Sequence, residues 1–336
     1  MIAHPSPSAH RSPRPAALLR LAALAALVAL PACDLRRGPA ELAPPPEPLA
    51  AAPPPRERPA APAPDPLTQF YAEMEAGLTA SGRMRRDTAP ADAPFGVPEL
   101  VRNFEMIALH DEYVEIGGRF VRRTTPATLR RWERPVRVGV LTGSSIPPAQ
   151  AATDRSRVAA FTARLARLTG LDMTMSDADD VNFLVLFLNR EEQEAFADQA
   201  AMRLPGFEPS VIRSIRATPI DIFCTAYAFA TPENPDSYAA VLVLIKAEHP
   251  DLTRRSCIHE EMAQAMGLPN DYDGARPSIF NDSLEFAFLT EHDAVLLRML
   301  YDPRLRTGMS AAEARPLLPA IAADAMRAHG LLPPGV

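Results

Sequence analysis

The chain predicts an α+β fold, a mixed sheet packed on helices, and three observations carry that expectation. Residues 135–142 (PVRVGVLT) alternate apolar and polar side chains as a strand does, while 182–188 (NFLVLFL) and 239–246 (AAVLVLIK) are apolar runs short enough for buried strands. Between the strands, residues 154–169 set Val158, Phe161, Leu165 and Leu168 at helical spacing and close at Gly170, and residues 190–202 form a second helical stretch. Helical patterns then take over, first in the stretch 255–271 and again over 291–301. At 336 residues and 47% hydrophobic content the chain can bury a sizeable core, and one domain with appendages is the expected organisation.

The N-terminus reads as an export leader. Arg11, Arg14 and Arg20 precede an apolar run at 21–30, which ends in Leu30-Pro31-Ala32-Cys33. About ten apolar residues are too few to cross a hydrocarbon layer about 30 Å thick, so residues 1–32 are expected to be a signal peptide. The small residue before Cys33 matches the lipobox of bacterial lipoproteins, in which that cysteine is acylated, palmitate being a typical chain. Each buried CH₂ contributes about 0.8 kcal/mol, so two or three chains hold a protein on a membrane it does not span. The expected location is the cell envelope, lipid-anchored to a membrane, on the periplasmic side if the source is Gram-negative. Asp34 favours inner-membrane retention by the enteric rule, and inner against outer membrane stays open.

Residues 33–66 form the tether. Seventeen of the 37 prolines lie in the first 66 residues, and a Pro/Ala-rich segment buries too little apolar surface to fold. At about 3 Å per residue it would hold the folded part tens of ångströms from the bilayer. Loss of the leader removes three of 35 basic residues and none of 41 acidic ones, leaving 32 against 41 and a net charge of −9. That balance argues against nucleic acid and against electrostatic binding to anionic lipid. Lys246 is the only lysine.

Residues 67–128 are expected to hold an amphipathic helix at 67–82 (Phe70, Tyr71, Met74, Leu78), a loose stretch at 83–98, and a hairpin. Its arms are read at 103–109 and 119–122 around Gly117-Gly118. The main domain is placed at 129–310, followed by a C-terminal helix and tail at 311–336. With Cys33 acylated, Cys224 and Cys257 remain. An even count in an exported protein points to one disulfide, two buried free thiols being the alternative.

Residues 255–271 read RSCIHEEMAQAMGLPND. The stretch resembles the metzincin metalloprotease helix H-E-x-x-H-x-x-G-x-x-H, its spacing kept and its three imidazoles gone. On that frame Glu260, Gln264 and Asn270 take the three ligand positions, Glu261 the catalytic glutamate, Gly267 the turn and Asp271 the trailing aspartate. Pro277-Ser278-Ile279-Phe280 stands at the methionine turn with Phe280 in place of the methionine. Leu289-Thr290-Glu291-His292-Asp293 and Leu300-Tyr301 follow at the metzincin distances, although Thr290 and Asp293 also form a local capping box. The same unit is similar to an uncharacterised bacterial family of lipoproteins that shares E-E-x-x-Q-x-x-G-L-x-N-D, P-S-x-F and D-x-x-L-L-R-x-L-Y-D-P-R over residues 100–310. The resemblance implies a degenerate metzincin-like (zincin) domain and no particular activity.

The chemistry of the substituted positions follows from their donors. Catalytic zinc takes three N, S or carboxylate ligands at about 2.0–2.3 Å and keeps an open position for water. Glu260 can serve, but Gln264 and Asn270 offer neutral amide oxygens, which suit calcium better than zinc. No metal and no cofactor is therefore expected. Instead Glu260, Gln264 and Asn270 are expected to hydrogen-bond one another where the chain turns back after Gly267. In the shifted register His259-Glu260 is an H-E pair, but Ala263 then fills the second ligand position. His292 is expected to be exposed, and the acidic loops at 177–180 and 271–274 to be solvated turns. The surroundings of Ser144, Ser145 and Ser310 contain no G-x-S-x-G elbow.

Two functions from different classes fit this pattern. The first is a lipid-anchored pseudoprotease domain that binds an envelope protein, peptide or wall component, or acts as a scaffold, with its groove adding strands at a sheet edge. The second is an envelope peptidase using Glu261 as general base, since an apolar cleft can raise a glutamate into a useful range.

Overall fold

The structure is a computed structural model that describes residues 65–203, 208–231 and 233–333. The leader, Cys33 and nearly all of the tether lie outside the described residues.

In chain order the elements are α1 (Pro66–Ala80), α2 (Val97–Ala108), β1 (His110–Ile116), β2 (Arg119–Pro126), β3 (Val136–Thr142), α3 (Pro148–Thr169), β4 (Met173–Met175) and β5 (Phe183–Leu188). Then come α4 (Arg190–Arg203), α5 (Pro209–Arg216), β6 (Cys224–Thr231), β7 (Asn234–Lys246), α6 (Asp251–Gln264), α7 (Glu291–Leu300), α8 (Ala311–Ala314) and α9 (Leu318–Ala328). Five strands form a mixed sheet in the order β4-β3-β5-β7-β6. β4, β3, β5 and β7 run parallel, and the edge strand β6 is antiparallel to β7. The fold is α+β with a mixed sheet packed on helices.

Both faces of the sheet are covered, which explains why its central strands read as continuous apolar runs. Val185, Phe187, Val241, Val243 and Ile245 point into the larger core, shared with α2, α3, α6, α7 and α9. Leu186, Leu188, Leu242 and Leu244 point the other way and meet Ala197, Val211 and Ile215 of α4 and α5. The strands were visible in the sequence because burial on both sides removes their polar alternation.

One expectation needs correction. Residues 103–109 are not a strand arm but the end of α2, where Leu100, Phe104 and Ile107 are fully buried one helical turn apart. Glu99 accepts the Gly96 N–H and Pro98 sits in the first turn, both helix-start signals. The hairpin arms are β1 and β2, joined at Gly117 and Gly118, whose φ angles of 57° and 77° suit glycine. β4, α5 and β6 went unread: β4 has three residues, and β6 (CTAYAFAT) is a half-buried edge built largely from small side chains.

Four contacts position the helix that carries the signature. Glu75 of α1 accepts both the N–H and the hydroxyl of Thr253 at 2.7 Å, capping the start of α6 from another helix. Trp132 donates to Ala265 O at 2.9 Å, and Tyr301 donates to Met266 O at 2.9 Å, so the end of α6 is gripped from two sides. The disulfide Cys224–Cys257 ties the first residue of β6 to the middle of α6, with Cα atoms 5.9 Å apart.

Candidate functional site

α6 carries Glu260, Glu261 and Gln264, and the chain must then reverse. Gly267 makes that possible: its φ is 123°, and a Cβ there would overlap the carbonyl oxygen of Arg130. Only glycine meets both demands. The return loop brings Asn270 and Asp271 back beside the helix, and β1 and β2 cover them from outside.

The expected ring of Glu260, Gln264 and Asn270 does not form. Asn270 turns toward α2 and β2: its Nδ2 donates to Met106 O at 2.8 Å, its backbone N–H to Ile107 O at 3.2 Å, and its Oδ1 accepts from Thr124 at 3.5 Å. Gln264 donates instead to Asp271 Oδ1 at 3.0 Å. Asp271 is thus a half-buried partner in the site and not part of a solvated turn. The physical reason is the free carbonyl at the end of α2, which is a better match for an amide N–H than a second amide is.

Around this exchange lie four carboxylates. Glu261 is 5% exposed and accepts the N–H of Ala226 on the edge strand β6. Glu260 is half-buried beside Asp271 and Glu261. Glu112 of β1 faces the group and meets Arg122 of β2 at 3.1 Å; Arg122 also reaches Asp282 at 2.7 Å. Loss of hydration is the largest effect on all four, and mutual repulsion adds to it. It pushes Glu112 up to about 6 and Asp271 up to about 8, and it raises Glu260 and Glu261 well above the usual carboxylate range. Burial also raises Tyr113 to about 12, with the Glu112 charge adding to the effect. Loss of hydration thus favours the protonated form of these carboxyls, and Arg122 offsets it only in part, at Glu112 and Asp271.

A zinc ion does not fit these donors. Asn270 faces away, Gln264 and Glu261 already serve Asp271 and Ala226, and among the described residues no three His, Cys, Asp or Glu side chains are arranged to hold a metal. His259, the histidine of the shifted register, accepts the Leu289 N–H at 3.1 Å and stacks on Phe161 at 4.3 Å. Burial drives it down to about 3, a neutral packing residue.

The following turn is tied down by hydrogen bonds to one carboxylate. Asp293 accepts from Ser278 (2.5 Å), Ile279 N–H (3.0 Å), Thr290 N–H (3.0 Å) and the Thr290 hydroxyl (2.9 Å). It joins the Pro277–Phe280 turn to the α7 cap, and Phe280 is fully buried. His292 corrects another expectation: it is buried, with ring nitrogens 3.2 Å from Asp293 and 3.0 Å from Asn103 and Phe95 edge-on. A helix-start position does not expose a side chain when α2 packs over that start. Sequence reasoning also missed Glu112, Arg122 and Ala226. All three lie far from the signature in sequence, and only the hairpin and edge-strand register brings them in.

The fold and site together define an α+β domain with a mixed sheet, an antiparallel edge strand and a carboxylate-lined signature helix. Residues 98–320 match the model of the family described as "Protein of unknown function (DUF2927)", and the chain belongs to that family. No curated protein and no solved structure gives a match.

Proposed function

We propose that this is a membrane-anchored bacterial lipoprotein whose metzincin-like domain is catalytically inactive and works as a binding or scaffold module in the cell envelope. The observation that carries the reading is the use of the signature positions: Gln264, Asn270 and Glu261 are all engaged in holding protein to protein. The sheet order supports the metzincin-like part, since α6 follows β7 directly and lies beside the antiparallel edge strand. Among the described residues no helix is long and apolar enough to cross a membrane. An extended segment of an envelope protein or peptide would add at the sheet edge formed by β6.

Three measurements test this. Plasma mass spectrometry of the dialysed protein should find no stoichiometric metal, with Glu260→Ala as control. Glu261→Gln should leave fold and partner binding unchanged. A peptidase activity in the native protein that this variant abolishes would replace the reading with a hydrolase using Glu261 as general base. Intact mass after membrane extraction should show a diacylglyceryl-type addition at Cys33.

A further inference from the structure

We propose that the tip of the β1–β2 hairpin is a docking surface for an anionic phospholipid bilayer. Among the described residues, four of the nine exposed large hydrophobic side chains lie on this one hairpin: Tyr113 (40%), Ile116 (51%), Phe120 (37%) and Val121 (42%). Scattered exposed apolar side chains need no explanation, but this concentration does.

The strand register sorts them. Val114 pairs with Val121 and Ile116 with Arg119, so these four share one face. Tyr113–Arg122 and Glu115–Phe120 form the other, which turns toward the body: the Phe120 ring lies 6.1 Å from Tyr227 and Arg122 pairs with Glu112 and Asp282. Ile116, Val121 and Arg119 are left facing out. Arg213 of α5 donates to Gly118 O at 2.5 Å and fixes the tip in place.

Charge selects the occupant. Arg119, Arg123 and Arg213 meet no carboxylate among the described residues, and Glu115 is the one acid at the tip. The chain as a whole is negative, at −6, so an anionic surface attracts it only at such a local cationic spot. The tip sets branched aliphatic side chains beside arginines around a two-glycine turn. A bilayer interface accepts that arrangement by letting the aliphatic groups sink and the guanidiniums meet phosphate. Each such basic residue raises binding about fivefold.

The inference does not require Cys33 to be acylated. The test uses the full chain on vesicles of phosphatidylglycerol with phosphatidylcholine, or of phosphatidylcholine alone, followed by hydrogen–deuterium exchange. Amides of residues 110–126 should exchange about tenfold more slowly on the anionic vesicles and show no slowing on the neutral ones. Arg119→Ser with Arg123→Ser should lower hairpin occupancy about 25-fold, two basic residues at about fivefold each. Ile116→Ser with Val121→Ser should also abolish the slowing, while unchanged exchange in β5 and β7 shows that the core is intact. Equal hairpin exchange on both vesicles overturns the proposal, as does slowing that survives either double variant. Flotation of the same samples reads the lipid anchor separately: a chain that floats with an unprotected hairpin refutes the docking surface and leaves the anchor standing.

Discussion

Asp271→Asn measures the electrostatic load that the carboxylate group places on the fold. Asp271 is pushed from 3.8 to about 8, first by loss of hydration and then by Glu112 and Asp282, against the pull of Arg122 and Gln264. A carboxyl raised on folding keeps its proton in the native state after the unfolded chain has released it. Its favourable contribution is therefore complete below about pH 4 and disappears as pH rises toward 8. Each retained proton tilts stability by about −1.4 kcal/mol per pH unit, so a shift of about four units has a ceiling of about 6 kcal/mol. Glu260, Glu261 and Glu112 compete for the same protons, and Asp271 keeps some contact with water. We therefore expect roughly half of that ceiling, about 3 kcal/mol, at pH 8. Asparagine keeps the Oδ1 acceptor for Gln264, now at 3.0 Å, and carries no charge at any pH. The variant should match the native protein near pH 4 and be more stable at pH 8, by about 6–12 °C in Tm. Calorimetry or urea unfolding at pH 4.5, 6 and 8, at fixed ionic strength, reads the difference. Parallel pH profiles for the two proteins would refute the reasoning, because they would mean that Asp271 is ionised and solvated in the folded state.

Three further substitutions test the architecture around the site. Replacing Cys224 and Cys257 together by alanine should lower stability by about 3–4 kcal/mol, the chain-entropy value for a loop with a sequence separation of 33; a loss under 1 kcal/mol in urea unfolding would count against it. Asp293→Ala leaves three buried donors, the Ser278 hydroxyl and the Ile279 and Thr290 N–H groups, without an acceptor, the Thr290 hydroxyl keeping Pro277 O; it should lower stability by about 3–5 kcal/mol, with Phe280 becoming accessible by near-ultraviolet circular dichroism. Gly267→Ala forces a side chain into a left-handed backbone and against Arg130 O; it should cost about 3 kcal/mol or more, and wild-type stability would show that the return loop is free to move.

Much of the fold could be read from the sequence because its central strands are buried on both faces. NFLVLFL and AAVLVLIK have no polar alternation to confuse with a helix, and each is bounded by turn residues. The helix at 291–301 announced itself through the Thr290–Asp293 capping box, which the structure shows in full. Legibility failed where an element is short or its pattern is shared. The three residues of β4 carry no period. The end of α2 was mistaken for a strand because six residues of an amphipathic helix contain as many apolar positions as a strand arm. β6 depends on its register with β7, Tyr227 opposite Leu242, and no local signal in CTAYAFAT supplies that.

The site shows the same division between spacing and partner choice. Spacing alone put Glu260, Gln264, Gly267 and Asn270 on one helix and its return, and Gly267 is indeed where the chain must reverse. Spacing could not say which amide meets which acceptor. The decision was made by α2, whose C-terminal carbonyls of Met106 and Ile107 needed donors in a buried position. Asn270 satisfied both, which left Gln264 with the next acceptor along the loop, Asp271. Asp271 in turn was drawn beside Glu260 and under Glu112, and the carboxyl group that results holds protons because α6 and the hairpin exclude water from it. The perturbed acids at this site thus follow from an unpaired helix end some 160 residues away in sequence, the separation between Met106 and Asn270 being 164. A histidine placed at position 270 would not create a metal centre, since the side chain at that position is directed to the Met106 carbonyl, which together with Ile107 O places the loop.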